Sequence, residues 1–209
     1  MQVSKHPSVE IVPQELFNNT LIRYMDFDID DVETLIVLAE SNWKWVDSKG
    51  WHSDKRPLEY ISLIASEVYE VWTAVHNYED SAHELELADI FLRVTDFIKE
   101  LSSLTQGQLT LKDALFTGNV LDNRFKLQLN QGVTLDGLLL CMYHKLASTV
   151  NYFRDHKISP DHYLDIESAF NQVLYLTFVA MKHLQVSDVI EPIKTKLDIN
   201  STRKVTRLK

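Results

Sequence analysis

Hydrophobic residues recur along this chain at intervals of three and four positions, interrupted by only five glycines and five prolines. Such spacing places apolar side chains on one face of an α-helix, so it predicts an all-α protein. The pattern predicts long helices at about 58–77, 83–104, 134–155 and 161–184. An earlier helix is predicted to begin at Asp30, which can cap it while Glu33 completes a capping box.

The chain has 209 residues, enough to bury a substantial core within one domain. We predict a single all-α domain over 1–209, because no Gly/Pro-rich linker divides it. Its parts are a first group of helices at 32–104, a second helical hairpin at 134–184 and a basic C-terminal segment at 188–209. The stretch between the two hairpins has mixed character, with room for one short helix.

The apolar pattern of the second hairpin resembles that of the first. In this alignment Glu67 matches His144, Glu70 matches Ala147, Asp89 matches Phe170, and only Glu86 keeps an acidic counterpart, Glu167. Two interpretations stay open: an internal repeat whose second copy lost its acidic residues, or chance similarity between two amphipathic hairpins. A repeat predicts that the hairpins pack as an internal pseudo-dimer, with His144, Ala147 and Phe170 facing or closing a ligand pocket.

Two acidic pairs interrupt the apolar faces of the first hairpin. They are Glu67 and Glu70 in "SEVYE", and Glu86 and Asp89 in "ELAD". At 100° per residue, Glu67 falls inside the apolar arc of its helix and Glu70 falls at the edge of that arc. A narrow acidic stripe between apolar residues is unlike the broad polar face of a surface helix.

The stripe on the second of these helices continues at Arg93 and Asp96. Partly buried carboxylates without partners are strongly destabilising, and one arginine neutralises only one of the four. A divalent cation can neutralise the set, and oxygen ligands alone suit Mg²⁺ better than zinc. The alternative is a solvated face with salt bridges. Two acidic pairs on consecutive helices instead favour a metal site within the helices at 32–104.

Composition narrows the choice of partners. The net charge of −9 argues against binding a nucleic-acid polymer, because affinity for the phosphate backbone comes from Lys and Arg. No apolar run approaches the roughly 18 residues of a membrane span, so no membrane partner is expected. The single cysteine, Cys141, is typical of a reducing compartment and favours a cytoplasmic location. The segment "KTKLDINSTRKVTRLK" is basic, which indicates a solvated tail or a site for a small anion.

The stretch "SEVYEVW" followed by "ELADIFLRVTD" resembles the MazG-like all-α NTP pyrophosphohydrolases. Their hallmark is ExxE on one helix and ExxD on the next, and Arg93 and Asp96 fall where the longer family pattern expects them. The segment "NWKWVDSKGWH" is similar to the family's approach to the metal helix. The C-terminal segment resembles the closing K-x-x-x-N-x-x-R element, which gives Lys196, Asn200 and Arg203. The resemblance covers about 42–100 and 188–209.

The resemblance implies hydrolysis of a nucleoside triphosphate to the monophosphate and pyrophosphate. It implies that Glu67, Glu70, Glu86 and Asp89 hold Mg²⁺, or Mn²⁺ as a substitute, and that Glu67 or Glu70 also positions the attacking water. Substrate contacts are expected from Lys196, Asn200, Arg203, Arg93 and Asp96, and a stacking partner for the base from Trp43, Trp45, Trp51 or Trp72. Members of this family commonly associate, so a homo-oligomer is compatible with the resemblance.

Two other classes of function remain open at this point. One is a protein that binds a nucleotide through the acidic cluster and Mg²⁺ without turnover. The other is an interaction module whose acidic stripe meets a basic partner. Both would use the same helical scaffold, and the four acidic residues favour the enzyme.

Overall fold

A computed structural model describes residues 29–53, 56–77, 82–104, 134–154 and 162–202. These residues form six α-helices and no strand, which confirms the all-α prediction. The helices are α1 (Ile29–Ser48), α2 (Pro57–His76), α3 (Ala82–Leu104), α4 (Leu135–Phe153), α5 (Tyr163–His183) and α6 (Ile190–Thr202). None of them combines the length and the apolar character needed to cross a membrane. The short helix expected between the hairpins, and Arg203, lie outside the described residues.

The ends of the helices follow from the residues found there. Pro57 occupies the first turn of α2, where a missing N–H removes no intrahelical hydrogen bond. The backbone N–H of Arg56 donates to Oε2 of Glu59 at 3.4 Å, which satisfies one free donor at this helix start. The predicted cap at Asp30 is wrong, because α1 already includes Ile29. Asp30 instead lies in the first turn, where its charge favours the helix dipole.

The basic C-terminal segment contains a packed helix, α6, and is not simply a solvated tail. Asp188 precedes this helix, and its Oδ1 accepts hydrogen bonds from the backbone N–H groups of Ile190 and Glu191 at 2.9 and 3.3 Å. Ile193 is fully buried in the core. Apolar residues three and four positions apart in this segment are typical of a helix, although basic residues lie between them.

Helix α3 lies at the centre of the bundle and packs against α1, α2, α5 and α6. Further contacts join α2 to α4, α4 to α5, and α1 to α6. Leu87, Ala88, Ile90 and Leu92 of α3 are at most 1% exposed, and at 100° per residue they point to different sides of the helix. A helix buried on several sides carries its acidic stripe into the protein. The candidate site is therefore built around a central helix.

The second hairpin packs against the first within the same chain. Phe97 of α3 stacks on Tyr60 of α2 with ring centroids 4.8 Å apart, and meets Phe170 of α5 edge-on at 4.9 Å. The hydroxyl of Tyr143 on α4 donates to the carbonyl of Ala65 on α2 at 2.9 Å. The prediction that Phe170 faces a ligand pocket is wrong, because its large apolar ring gains more by entering the core. The interpretation of the hairpins as a repeat-derived pseudo-dimer stays a prediction.

The position of Phe97 between the hairpins predicts a large effect of its removal. We expect Phe97→Ala to lower the free energy of unfolding by about 3–5 kcal/mol, because the cavity would adjoin rings from α2, α4 and α5. Urea denaturation followed by circular dichroism would measure this loss. Leu140→Ala is the control, since Leu140 is 68% exposed. A loss confined to α2 and α3, with α4 and α5 still folded, would contradict a shared core.

Candidate functional site

Three carboxylates meet where α2 and α3 run side by side. Glu67 and Glu70 come from α2, one turn apart, and Glu86 comes from α3. Each offers one oxygen, and these three oxygens lie within 4.8 Å of one another. Two ligand oxygens on opposite sides of Mg²⁺ stand about 4.2 Å apart, twice the usual metal–oxygen distance. Small side-chain rotations would therefore bring the three oxygens around one hard cation.

The three carboxylates differ in their exposure to solvent. Glu67 is 5% exposed, Glu86 is half-buried and Glu70 is exposed. Burial raises the pKa of Glu67 to about 7, helped by the nearby charge of Asp89 and opposed by that of Arg93. The cluster is thus shielded from solvent at Glu67 and exposed to solvent at Glu70, so a ligand can approach it from the Glu70 side.

The fourth predicted metal ligand, Asp89, is held by two groups from α6. Nδ2 of Asn200 donates to Oδ1 of Asp89 at 3.0 Å, and Nζ of Lys196 lies 3.2 Å from Oδ2. Asp89 is 3% exposed, so these donors replace the water that it would otherwise bind. The structure brings Asp89 beside the three-carboxylate cluster, but Asp89 would have to exchange one of these donors to hold a cation.

Lys196 also contacts the cluster itself, since its Nζ donates to Oε2 of Glu86 at 3.1 Å. The side chain of Lys196 is only 5% exposed. Burial by itself lowers the pKa of this ammonium group, but Asp89 and Glu86 outweigh that effect and the pKa is raised. Lys196 is therefore a buried cation that links α6 to α3. Prediction from the sequence assigned it only to substrate and missed this counter-ion role.

Arg93 is the second cation beside the cluster, and its Nε donates to Oε1 of Glu67 at 3.2 Å. Together Arg93 and Lys196 set two positive charges against the four carboxylates of the predicted metal site. Four minus two leaves two formal negative charges when all four carboxylates are ionised. A divalent cation would cancel that remainder.

A pocket opens beside the cluster, between α1, α3 and α6. Its water-accessible volume is about 50 Å³, enough for a few water molecules. The lining residues are Asn42, Trp45, Val46, Trp51, Asp89, Leu92, Arg93, Asp96 and Asn200. Asp89, Arg93 and Asn200 also belong to the charge network, so the pocket and the cluster share a wall. Within the described part of the chain, the buried Oδ1 of Asn200 has no hydrogen-bond partner.

The four tryptophans predicted as stacking candidates occupy different places. Trp45 and Trp51 line the pocket, and their rings meet edge-on with centroids 5.2 Å apart. Trp43 instead stacks on His52 at 5.1 Å. Trp72 is 40% exposed on α2 and is not one of the described residues that line this pocket. The structure therefore favours Trp45 and Trp51 as partners for an aromatic ligand.

Asp96, predicted to contact substrate, is paired with a histidine that the sequence patterns did not single out. Nε2 of His52 lies 2.9 Å from Oδ1 of Asp96, and Nδ1 lies 3.3 Å from Oδ1 of Asp47. The side chain of Asp96 is 3% exposed and lines the pocket. The contact joins residues 44 positions apart, so no local periodicity could indicate it.

The turn after α1 brings His52 back to α3. The backbone N–H groups of Gly50 and Trp51 donate to the carbonyls of Asp47 and Val46, which closes α1 in a Schellman motif. Gly50 has a φ of 68°, a left-handed conformation that glycine adopts without a Cβ clash. The chain therefore reverses directly after α1, and Trp51 and His52 return to the bundle.

Comparison of the chain with protein-family models, with curated proteins and with solved structures gives no match. The resemblance to MazG-like enzymes therefore stays an expectation drawn from the sequence motifs.

The raised pKa of Glu67 predicts how stability depends on pH when a chelator removes divalent cations. The ordinary pKa is 4.5 and the folded value is about 7, so the folded state binds more protons between these values. The free energy of unfolding should therefore fall as pH rises from 5 to 7, and this contribution should then level off. Glu67→Gln should flatten the slope and raise stability at pH 8 by roughly 1–3 kcal/mol.

Urea unfolding in EDTA at pH 5, 6, 7 and 8 would test this. Glu33→Gln is the matched control, because it removes an exposed carboxylate of α1 outside the cluster. It should keep the wild-type slope between pH 5 and 7. An unchanged slope in Glu67→Gln would contradict the burial of an ionised Glu67 as the cause.

Proposed function

We propose that this protein is a Mg²⁺-dependent nucleoside triphosphate pyrophosphohydrolase of the MazG-like type, which cleaves an NTP or dNTP to the monophosphate and pyrophosphate. The observation that carries the proposal is the meeting of Glu67, Glu70 and Glu86 within 4.8 Å of one another, beside a pocket with two aromatic walls. Asn200 also lines the pocket, and its buried Oδ1 has no hydrogen-bond partner among the described residues. A nucleotide suits this combination of groups, because its phosphate chain binds metal and its base is an aromatic ring.

The donor set fits a hard cation. Glu67, Glu70 and Glu86 supply oxygen only, which suits Mg²⁺ and also Mn²⁺. Asp89 would complete the set by releasing Lys196 or Asn200. When bound, the ion would neutralise phosphate charge and polarise the phosphoryl oxygens.

In the proposed reaction, a water oxygen bonds to a phosphorus of the α–β anhydride, the bridging P–O bond breaks, and pyrophosphate separates from the monophosphate. Glu67 and Glu70 are the proposed catalytic residues, which orient the water and accept its proton. Glu67 suits the first task because its buried carboxylate is held in place by Arg93, whose Nε donates to Oε1 at 3.2 Å. Glu70 lies at the solvent side, where water enters.

Positive and polar groups around the cluster are proposed to bind the phosphates. Lys196, Arg93 and Asn200 already lie within hydrogen-bond distance of the cluster carboxylates and Asp89. A triphosphate arriving with its cation would compete for the same donors, so these side chains can exchange a carboxylate for a phosphate oxygen. Arg203 remains a predicted phosphate ligand.

The pocket is proposed to receive the nucleobase between the rings of Trp45 and Trp51. Asp96, at the same wall, is a hydrogen-bond acceptor for the base or sugar. The pocket holds only a few waters as it stands, so binding a base requires the tryptophans to separate.

The proposal is tested by incubating the protein with a panel of NTPs and dNTPs plus Mg²⁺ or Mn²⁺, with detection of pyrophosphate and monophosphate. Equal amounts of both products would support it. Saturable nucleotide binding without turnover would instead identify a nucleotide-binding protein. Neither binding nor turnover, with a basic partner that binds the acidic cluster, would identify an interaction module.

Glu70→Gln is the cleanest test of the metal site, because Glu70 is exposed and its replacement leaves the core intact. Turnover should fall by about 100-fold or more, the usual scale for loss of a group that stabilises a charged transition state. Mg²⁺ should raise the melting temperature of the wild type, because it binds the folded state. It should do so much less in the variant. Glu84→Gln, in the first turn of α3, is the control. Equal stabilisation by Mg²⁺ in wild type and Glu70→Gln would contradict the cluster as a metal site.

Lys196→Met tests the dual role of the buried ammonium. Removing this cation leaves Glu86 and Asp89 facing one another, so stability without metal should fall by roughly 3–5 kcal/mol, with partial recovery in Mg²⁺. The KM for nucleotide should rise. Arg203→Ala should raise KM as well.

Lys194→Met is the control for Lys196→Met, since it replaces an exposed lysine on the same helix. Thermal melts with and without Mg²⁺, combined with steady-state kinetics, would measure both effects. An unchanged KM in both Lys196→Met and Arg203→Ala would remove these residues from the substrate site.

A further inference from the structure

His52 lies outside the carboxylate cluster, in the turn after α1, and its side chain is 7% exposed. Each ring nitrogen faces a carboxylate oxygen, Nε2 at 2.9 Å from Asp96 and Nδ1 at 3.3 Å from Asp47. Ionised carboxylates only accept hydrogen bonds, so both contacts are satisfied when the ring is protonated and each of its nitrogens donates. The imidazolium ion thus joins α1 to α3.

A third contact restrains the face of the ring. The indole of Trp43 on α1 stacks on His52, with centroids 5.1 Å apart and planes 23° from parallel. Stacking of a cationic ring on an indole is favourable, because the indole face carries negative electrostatic potential. The two carboxylates therefore hold the edges of the His52 ring, and the indole of Trp43 packs against one of its faces.

Two neighbours of His52, Asp96 and Trp51, line the pocket. Asp96 lines it and is almost fully buried, so its orientation depends on the donor that satisfies it. Trp51, the residue before His52, also forms part of the pocket lining. His52 itself is not one of the described residues that line the pocket. It acts on the pocket through its two neighbours.

We infer that His52 is a positioning residue of the pocket: it orients the carboxylate of Asp96 and pins the turn that carries Trp51 against α3. The effect of His52 on the shape of the pocket follows from these contacts alone. The effect of His52 on nucleotide affinity rests on the proposed function.

The link has a defined dependence on pH. The charged groups that face His52 are Asp47 from α1 and both Asp96 and Glu100 from α3, while Tyr60 of α2 lies near Asp96. Burial of the ring lowers the pKa of His52, but the hydrogen bonds and charges of these carboxylates outweigh it, and the pKa is raised. The link is therefore complete below the ordinary value of 6.5, and its charge and one of its two N–H donors are lost as pH rises through the raised folded value.

Fluorine NMR of the full chain labelled with 5-fluorotryptophan would test the inference without metal or nucleotide. The four indole resonances are assigned by single Trp→Phe replacements. In His52→Ala, the Trp51 resonance should shift toward that of a solvent-exposed indole at every pH, while the Trp72 resonance should not move. In the wild type, Trp51 should move only part of the way, toward its position in His52→Gln, as pH rises through the pKa of His52, because the neutral ring keeps one N–H for Asp96.

Two further variants separate positioning from general loss of structure. His52→Gln keeps one donor for Asp96 without a charge, so the Trp51 resonance should lie between those of wild type and His52→Ala and should not depend on pH. Asp47→Asn removes the exposed carboxylate on the other side of the ring. It should preserve the wild-type position of Trp51 at low pH and move the transition to lower pH. A Trp51 resonance that is the same in wild type, His52→Gln and a folded His52→Ala would overturn the inference.

Kinetics provide a second readout that is independent of the first. His52→Ala should raise the KM for nucleotide by roughly tenfold, the scale of one charge-assisted hydrogen bond, with a much smaller change in kcat or in Mg²⁺ affinity. His52→Gln should recover part of this loss, and Asp47→Asn should have the wild-type KM at a pH below its own transition. Absence of turnover in the wild type would refute the proposed function, and the fluorine spectra would still decide the role of His52. Turnover with an unchanged KM in His52→Ala would overturn the role of His52 in ligand binding.

Discussion

The acidic stripe of α3 runs through the interior of the bundle, and its charges have to be balanced there. Asp89 and Asp96 are 3% and 2% exposed, too buried for water to stabilise them. Each is satisfied from a different part of the chain, Asp89 by Lys196 and Asn200 of α6, and Asp96 by His52 of the turn after α1. A buried charge without a partner is destabilising by several kcal/mol, so these contacts decide where α6 and the turn dock.

The same contacts create the candidate site. The pocket walls come from α1, α3 and α6, the segments that the carboxylates of α3 hold together. The stability of the fold comes from elsewhere, from apolar packing such as the rings around Phe97. Glu67 belongs to the candidate site but lowers the stability of the fold. Burial of its negative charge is unfavourable, which is why its pKa is raised. Groups kept in the core at such an energetic loss are typical of functional sites, where activity and stability compete.

Most of the secondary structure was predictable from the sequence, because helical burial repeats every three to four residues and that repeat is local. The predicted helices agree with α2 to α5 to within two residues at each end. The burial of Glu67 followed from its position inside the apolar arc of α2, and the closeness of Glu67, Glu70 and Glu86 followed from the antiparallel arrangement of two consecutive helices. The cap at Asp30 was wrong, and α6 was not predicted as a helix because basic residues between its apolar positions indicated a polar segment.

What the sequence by itself determined is an all-α chain with an acidic stripe between apolar faces, because helical periodicity fixes which residues share a face. Only the tertiary structure decided which partner meets each carboxylate. Lys196 reaches Glu86 across 110 positions and Asn200 reaches Asp89 across 111, whereas spacing rules act over a few helical turns. The same holds for His52 and Asp96. Whole helices come together when they bury the apolar core, and their packing determines which of these residues pair. No local sequence pattern encodes that packing.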